Sequence, residues 1–113
     1  MNLKSPNEQE IIGKSEDPEL CNTVLSYTRR MLMDNDIAMT DVQWLSFVSH
    51  VSGIVFRSIK KEAIPPIEKE IFSDVSTQAI ELANDICRQM KHLHDDEKYL
   101  LSIHIESAKY NKN

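Results

Sequence analysis

The stretch TDVQWLSFVSHVSGIVFRSIKK, residues 40–61, decides the fold. Its apolar side chains Trp44, Leu45, Phe47, Val48, Val51, Ile54, Val55 and Ile59 fall on one broad face at helical spacing, not on the alternating faces of a strand. Thr40 stands before the run as an N-cap residue, with Asp41 in the first turn. The run ends at Lys60-Lys61, cations that the negative end of a helix macrodipole favours.

Working toward the N-terminus, Asp17-Pro18 reads as a cap followed by a proline at the first helical position, with Glu16 and Glu19 beside it. The helix it opens has a stripe of Leu20, Val24, Tyr27 and Met31, widened by Cys21, Thr28 and Leu32, that fades at Asp34-Asn35-Asp36. Residues 1–15, MNLKSPNEQEIIGKS, carry only Leu3, Ile11 and Ile12 as sizeable apolar groups and contain Pro6 and Gly13, so the expectation there is a flexible N-terminal arm. Toward the C-terminus, Ile64-Pro65-Pro66 forbids helix continuation, because a proline pushes its predecessor out of helical geometry. A short helix over Ile67 to Phe72 is expected next. Ser73 then caps a helix with a stripe of Val75, Ala79, Leu82, Ala83, Ile86, Met90 and Leu93. Asp95, Asp96 and Glu97 open a last one, which runs through Tyr99, Leu100, Leu101, Ile103, Ile105 and Ala108 to a basic end at Lys109 and Lys112. The expected fold class is all-α: a five-helix bundle of antiparallel helix pairs, formed by a single domain over residues 16–113.

Composition narrows the function classes. Two Gly and four Pro in 113 residues are too few turn signals for a β-sandwich or barrel. With 13 basic against 18 acidic side chains the net charge is −5, which disfavours direct nucleic-acid binding, since that rests on Lys and Arg displacing counterions from phosphates. Cys21 and Cys87 lie far apart inside apolar helical patterns and read as free thiols in a reducing compartment. No stretch approaches the roughly 18 apolar residues of a membrane span, and the start has no apolar signal core, so the expectation is a cytoplasmic protein without a membrane partner.

Four histidines carry the unusual chemistry. His50 shares a stripe with Ser46, Gly53 and Arg57, about a third of a turn from the apolar centre of its helix. That stripe is either a solvated polar face or an accessible imidazole with a guanidinium two turns away, where an anion at the ring would meet it. A mid-helix glycine costs roughly 1 kcal/mol against alanine, which favours a packing or access role for Gly53. His104 falls between Leu100, Leu101 and Ala108, the place of a hydrogen-bonded core histidine. His92 and His94, followed by Asp95, Asp96 and Glu97, resemble a metal run. The two rings are at i and i+2, however, facing opposite ways on a helix, and no zinc-site spacing is matched; a helix end meeting an acidic helix start accounts for them. Nucleophile elbows, glycine-rich phosphate loops and paired Cys/His signatures are absent, so a conventional enzyme with catalytic residues or a cofactor is not expected.

The segments MTDVQWLSFVSHVSGIVFRSIKKE, PPIEKEIF, AIELANDICRQM and DDEKYLLSIHIESAK, within residues 39–109, resemble the PTS regulation domain. This is the helical module of bacterial sugar-operon antiterminators and activators controlled by the phosphoenolpyruvate-dependent phosphotransferase system. The carrying features are a histidine followed seven residues later by arginine, here His50 and Arg57, and an acidic-Glu-x-x-x-Leu-x-x-His pattern, here Asp96-Glu97 with Leu101 and His104. The resemblance implies a dimerising regulatory module in which His50 and His104 accept phosphoryl groups from HPr or an enzyme II B component and Arg57 offsets the phosphoryl charge. Ser49 stands where the family commonly has aspartate before its first histidine. Family members usually carry two such modules beside an RNA-binding or DNA-binding output domain, and the 113 residues show neither, so the expectation is a stand-alone module that acts through a partner protein. The alternative is a helical dimerisation or adaptor module that is never phosphorylated.

Overall fold

The computed structural model describes residues 6–111, so the readings at Leu3 and Lys112 lie outside it. Five α-helices follow in order: α1 (Pro6–Gly13), α2 (Pro18–Asp34), α3 (Asp41–Lys60), α4 (Thr77–Cys87) and α5 (Glu97–Lys109), with one turn of 3-10 helix (Lys69–Phe72) between α3 and α4. The described residues contain no strand.

The starts of α2 and α3 follow the side-chain chemistry of their caps. The Asp17 carboxylate accepts the Leu20 N–H, with Pro18 in the first turn. Thr40 and Gln43 form a reciprocal capping box that satisfies two backbone donors at once. Three readings change. The N-terminal arm is helical over Pro6–Gly13. Pro6 occupies the first helical position, where its missing N–H leaves nothing unsatisfied, and Gly13 falls at the end, so the two residues that look like breakers are the helix boundaries. α1 is held by the apolar side chain of Ile12, which is buried, and by the Ser52 hydroxyl donating to the Ile11 carbonyl at 2.7 Å. Its buried Glu8 carboxylate accepts from the Arg29 guanidinium and from the Trp44 indole N–H, both at 3.2 Å.

The second change is the cap of α4. Ser73 ends the 3-10 turn, its N–H donating to the Glu70 carbonyl. Ser76 takes extended geometry and accepts the Ala79 N–H, while its own hydroxyl donates to Glu106 at 2.7 Å. Both serines satisfy the local rule; the acceptor on α5 selects the second. Third, α4 stops at Cys87. Met90 and Leu93 pack against the core from a connecting loop instead of a helix, and that loop is tied to α3 by the Ser58 hydroxyl, which donates to the Lys91 carbonyl.

Neighbouring helices run antiparallel. Glu16, just before α2, pairs with Lys60 at the end of α3, and Arg29 lies 4.5 Å over the Trp44 ring at the other end of the pair. Ser76 at the start of α4 meets Glu106 and Lys109 at the end of α5. Phe47, Val48, Val51, Ile54 and Val55 of α3 are wholly buried between Val24 and Leu25 of α2, Ala83 and Ile86 of α4 and Leu101 and Ile105 of α5. Neither Cys21 nor Cys87 forms a disulfide. No helix among the described residues is long and apolar enough to cross a membrane.

Replacing Ser76 with alanine removes both a cap and a partner of Glu106, and urea unfolding is expected to show a loss of about 1–2 kcal/mol. Ser73→Ala, at an exposed position without a capping bond, is expected to stay within about 0.5 kcal/mol of the parent.

Candidate functional site

α3 and α5 meet along a line of three polar pairs. Gln43 and Asn111 exchange amide hydrogen bonds, His50 Nδ1 lies 2.9 Å from His104 Nε2, and Arg57 forks onto Glu97. Each step of seven residues along α3 is answered by seven in the reverse direction along α5 and the residues just past its end, where Asn111 lies, the pattern of two antiparallel helices packed at a steady angle. The spacing of seven that joins His50 to Arg57 also joins Glu97 to His104, and antiparallel packing brings the two motifs into register.

The Arg57–Glu97 contact is bidentate, Nε to Oε2 at 2.7 Å and Nη2 to Oε1 at 2.9 Å. The Glu97 side chain is fully buried and that of Arg57 is 24% exposed. Sequence reading leaves the guanidinium open to an anion; in the structure two of its three nitrogens hold Glu97. The third, Nη1, lies 3.5 Å from where a Cβ on Gly53 would stand, so the guanidinium folds back over the glycine, one turn from His50. An open cleft lined by Lys14, Ser49, Gly53, Phe56, Arg57 and Glu62 borders this side of α3.

The histidines are half-buried, their ring centroids 5.0 Å apart at 66°, and the Phe47 ring stands edge-on to His104 at 5.8 Å. Burial above all, then the adjacent His104 ring and the Arg57 cation, holds the His50 pKa at about 4, below its usual 6.5. Burial lowers His104 as well. At neutral pH both rings are therefore uncharged, and their 2.9 Å contact is a hydrogen bond in which one ring donates and the other accepts.

His92 and His94 lie apart from this pair, on the exposed loop between α4 and α5. His94 Nδ1 accepts the Asp96 N–H, a local turn contact. No group of three or more His, Cys, Asp or Glu side chains among the described residues is placed to hold a metal ion. Asp95 pairs with Lys98, Asp96 lies near Lys69, and Glu97 turns inward to Arg57, so the acidic run divides among three tasks.

The chain has a close structural counterpart. It superposes on the crystal structure of a PRD-containing transcription regulator from Lactobacillus casei ATCC 334 with a TM-score of 0.87 at 28% identity, covering 96% of this chain and 97% of the other. This chain is a PRD-like domain. No protein-family model matches the sequence, and no curated protein matches it. In the PRD-like domain the short sequence motifs around His50 and His104 become one site, because the α3–α5 alignment superimposes them.

The His50 shift makes stability pH-dependent in a definite direction. A folded pKa of about 4 against 6.5 for the ordinary group means that the unfolded chain binds the extra proton first, so stability falls as pH drops from 6.5 toward 4. The expected loss over that window is on the order of 2–3 kcal/mol, read by urea unfolding, and His50→Gln is expected to flatten it. Arg57→Met is expected to cost about 3–5 kcal/mol by leaving Glu97 buried and unpaired, whereas Arg57→Met with Glu97→Leu recovers most of that loss.

Proposed function

We propose that this chain is a regulatory domain of the phosphotransferase system, phosphorylated on the His50–His104 site by HPr or an enzyme II B component and passing that state to transcription or transport through a partner protein. The observation that carries the reading is a pair of uncharged, half-buried imidazoles in contact at 2.9 Å on a PRD-like fold. A neutral imidazole nitrogen is the nucleophile that accepts a phosphoryl group from phosphohistidine, and the depressed pKa of His50 keeps it neutral across the physiological range. The Lactobacillus casei counterpart is described as a transcription regulator, which supports a regulatory role over an enzymatic one. Arg57 supplies a fixed positive charge on the same helix, partly offset by Glu97. A phosphoryl group adds close to two negative charges at the α3–α5 seam, enough to bias how two copies of the domain pack. Ile103 and Tyr110, exposed apolar groups seven residues apart along α5 and its C-cap, suit that helix to a second copy, in a cytoplasmic homodimer that touches neither nucleic acid nor membrane.

The test is intact-protein mass after incubation with phosphoenolpyruvate, enzyme I and HPr, with and without an enzyme II B component, followed by peptide mapping at alkaline pH. Phosphate is expected on the His50 or His104 peptide and is expected to vanish in the His50→Gln, His104→Gln protein while persisting in His92→Gln, His94→Gln. A chain that gains nothing from any donor is a helical adaptor, and Ser49 before His50 is the sequence feature that such a result would bring forward.

A further inference from the structure

We infer that His50 and His104 are one phosphoacceptor rather than two: the pair takes a single phosphoryl group at a time, on His50, and the partner ring stores the proton that the reaction displaces. This deepens the proposed function and rests on it for the identity of the natural donor, but not for the chemistry of the pair.

The inference follows from counting. Two neutral imidazoles carry four ring nitrogens and two protons. Their mutual hydrogen bond uses one N–H and one lone pair, which leaves one N–H and one lone pair for everything else. If His50 Nδ1 donates to His104 Nε2, the second His104 proton is on Nδ1 and the open lone pair is His50 Nε2. If His104 Nε2 donates, both rings carry their proton on Nε2 and the open lone pair is His104 Nδ1. The rings share a tautomer in either arrangement, and in neither do two nucleophilic nitrogens coexist. The first arrangement suits the surroundings, since Arg57 Nη1 folds back over Gly53, one helical turn from His50.

The transfer balances without any further reagent. The His50 Nε2 lone pair attacks the phosphorus of an N-phosphorylated imidazole donor that is protonated on its other ring nitrogen; the new N–P bond forms as the old one breaks, and the donor leaves with the electron pair as a neutral imidazole. The His50 ring becomes cationic and passes its Nδ1 proton across the 2.9 Å contact to His104 Nε2. A neutral phosphoimidazole is left hydrogen-bonded through His50 Nδ1 to an imidazolium, whose positive charge offsets part of the charge of the phosphoryl dianion on the other nitrogen. His104 then has a proton on both nitrogens and no lone pair, so a second transfer is blocked until the first group leaves. Return of the proton to His50 makes that ring a better leaving group for the reverse step, and the pair is reversible by the same path.

The experiment uses the full chain carrying His92→Gln and His94→Gln, two exposed loop positions, labelled with ¹⁵N-histidine. Long-range ¹H–¹⁵N spectra are expected to show both remaining rings in the Nδ1–H tautomer; unlike tautomers overturn the inference. The same protein is then treated with potassium phosphoramidate, a small-molecule phosphoryl donor, and in parallel with the phosphoenolpyruvate, enzyme I and HPr chain. Intact mass is expected to stop at one phosphoryl group per chain, mapped to His50. Two groups on one chain, a group on His104 alone, or no group on either ring from phosphoramidate each overturns it. One group from phosphoramidate with none from the carrier chain supports the single acceptor and refutes the proposed donor, so the two failures are told apart.

Discussion

The α3–α5 seam is organised around a carboxylate that water cannot reach. Glu97 is fully buried at the first position of α5, and an ionised carboxylate in that setting demands a partner of opposite charge with matched geometry. Arg57 meets the demand with two parallel N–H donors, a fork that tolerates little displacement. A shift of α5 by one residue would swing Glu97 through about 100° of helix rotation and leave both charges unpaired. The alignment of the two helices is thereby held, and with it every other contact on the same line.

The histidine pair inherits its geometry from that constraint. Seven residues from Arg57 and seven from Glu97, His50 and His104 arrive at hydrogen-bond distance without needing an interaction strong enough to hold the helices themselves. Burial keeps both rings uncharged at neutral pH, so their contact is a neutral hydrogen bond and not an ion pair. The division of labour is physical: a charged fork sets the register, and a neutral, proton-sharing pair sits where that register brings two lone-pair-bearing rings together. Apolar neighbours complete the arrangement: Phe47 stands edge-on to His104, and Val51 and Leu101, next in sequence or one turn away from the two rings, are fully buried.

α1 shows how a short element of weak local pattern is recruited. Eight residues with few apolar side chains would not hold a helix in isolation. Here Ile12 enters the core, Ser52 donates to the Ile11 carbonyl, which also accepts the Lys14 N–H, and Glu8 gathers the Arg29 guanidinium and the Trp44 N–H from two different helices. The energy that makes α1 helical comes from α2 and α3, which is why a reading of residues 1–15 on their own sees only a proline, a glycine and scattered charge. The same logic separates Ser76 from Ser73: Glu106, thirty residues on, is the acceptor that decides between two serines of equal local merit.

What the sequence determined by itself is what depends on neighbours within a few residues along the chain. The helical period of α2 and α3, the Asp17 and Thr40 caps, the break at Pro65-Pro66 and the seven-residue spacings of His50 with Arg57 and of Glu97 with His104 are all local, and all were legible. What only the tertiary structure decided is which of those spacings face each other. The His50–His104 contact joins residues 54 apart, and the Arg57–Glu97 fork joins residues 40 apart. Such pairings depend on the direction and register in which two helices pack, and helical periodicity is blind to both, because a stripe reads the same whichever way its partner runs.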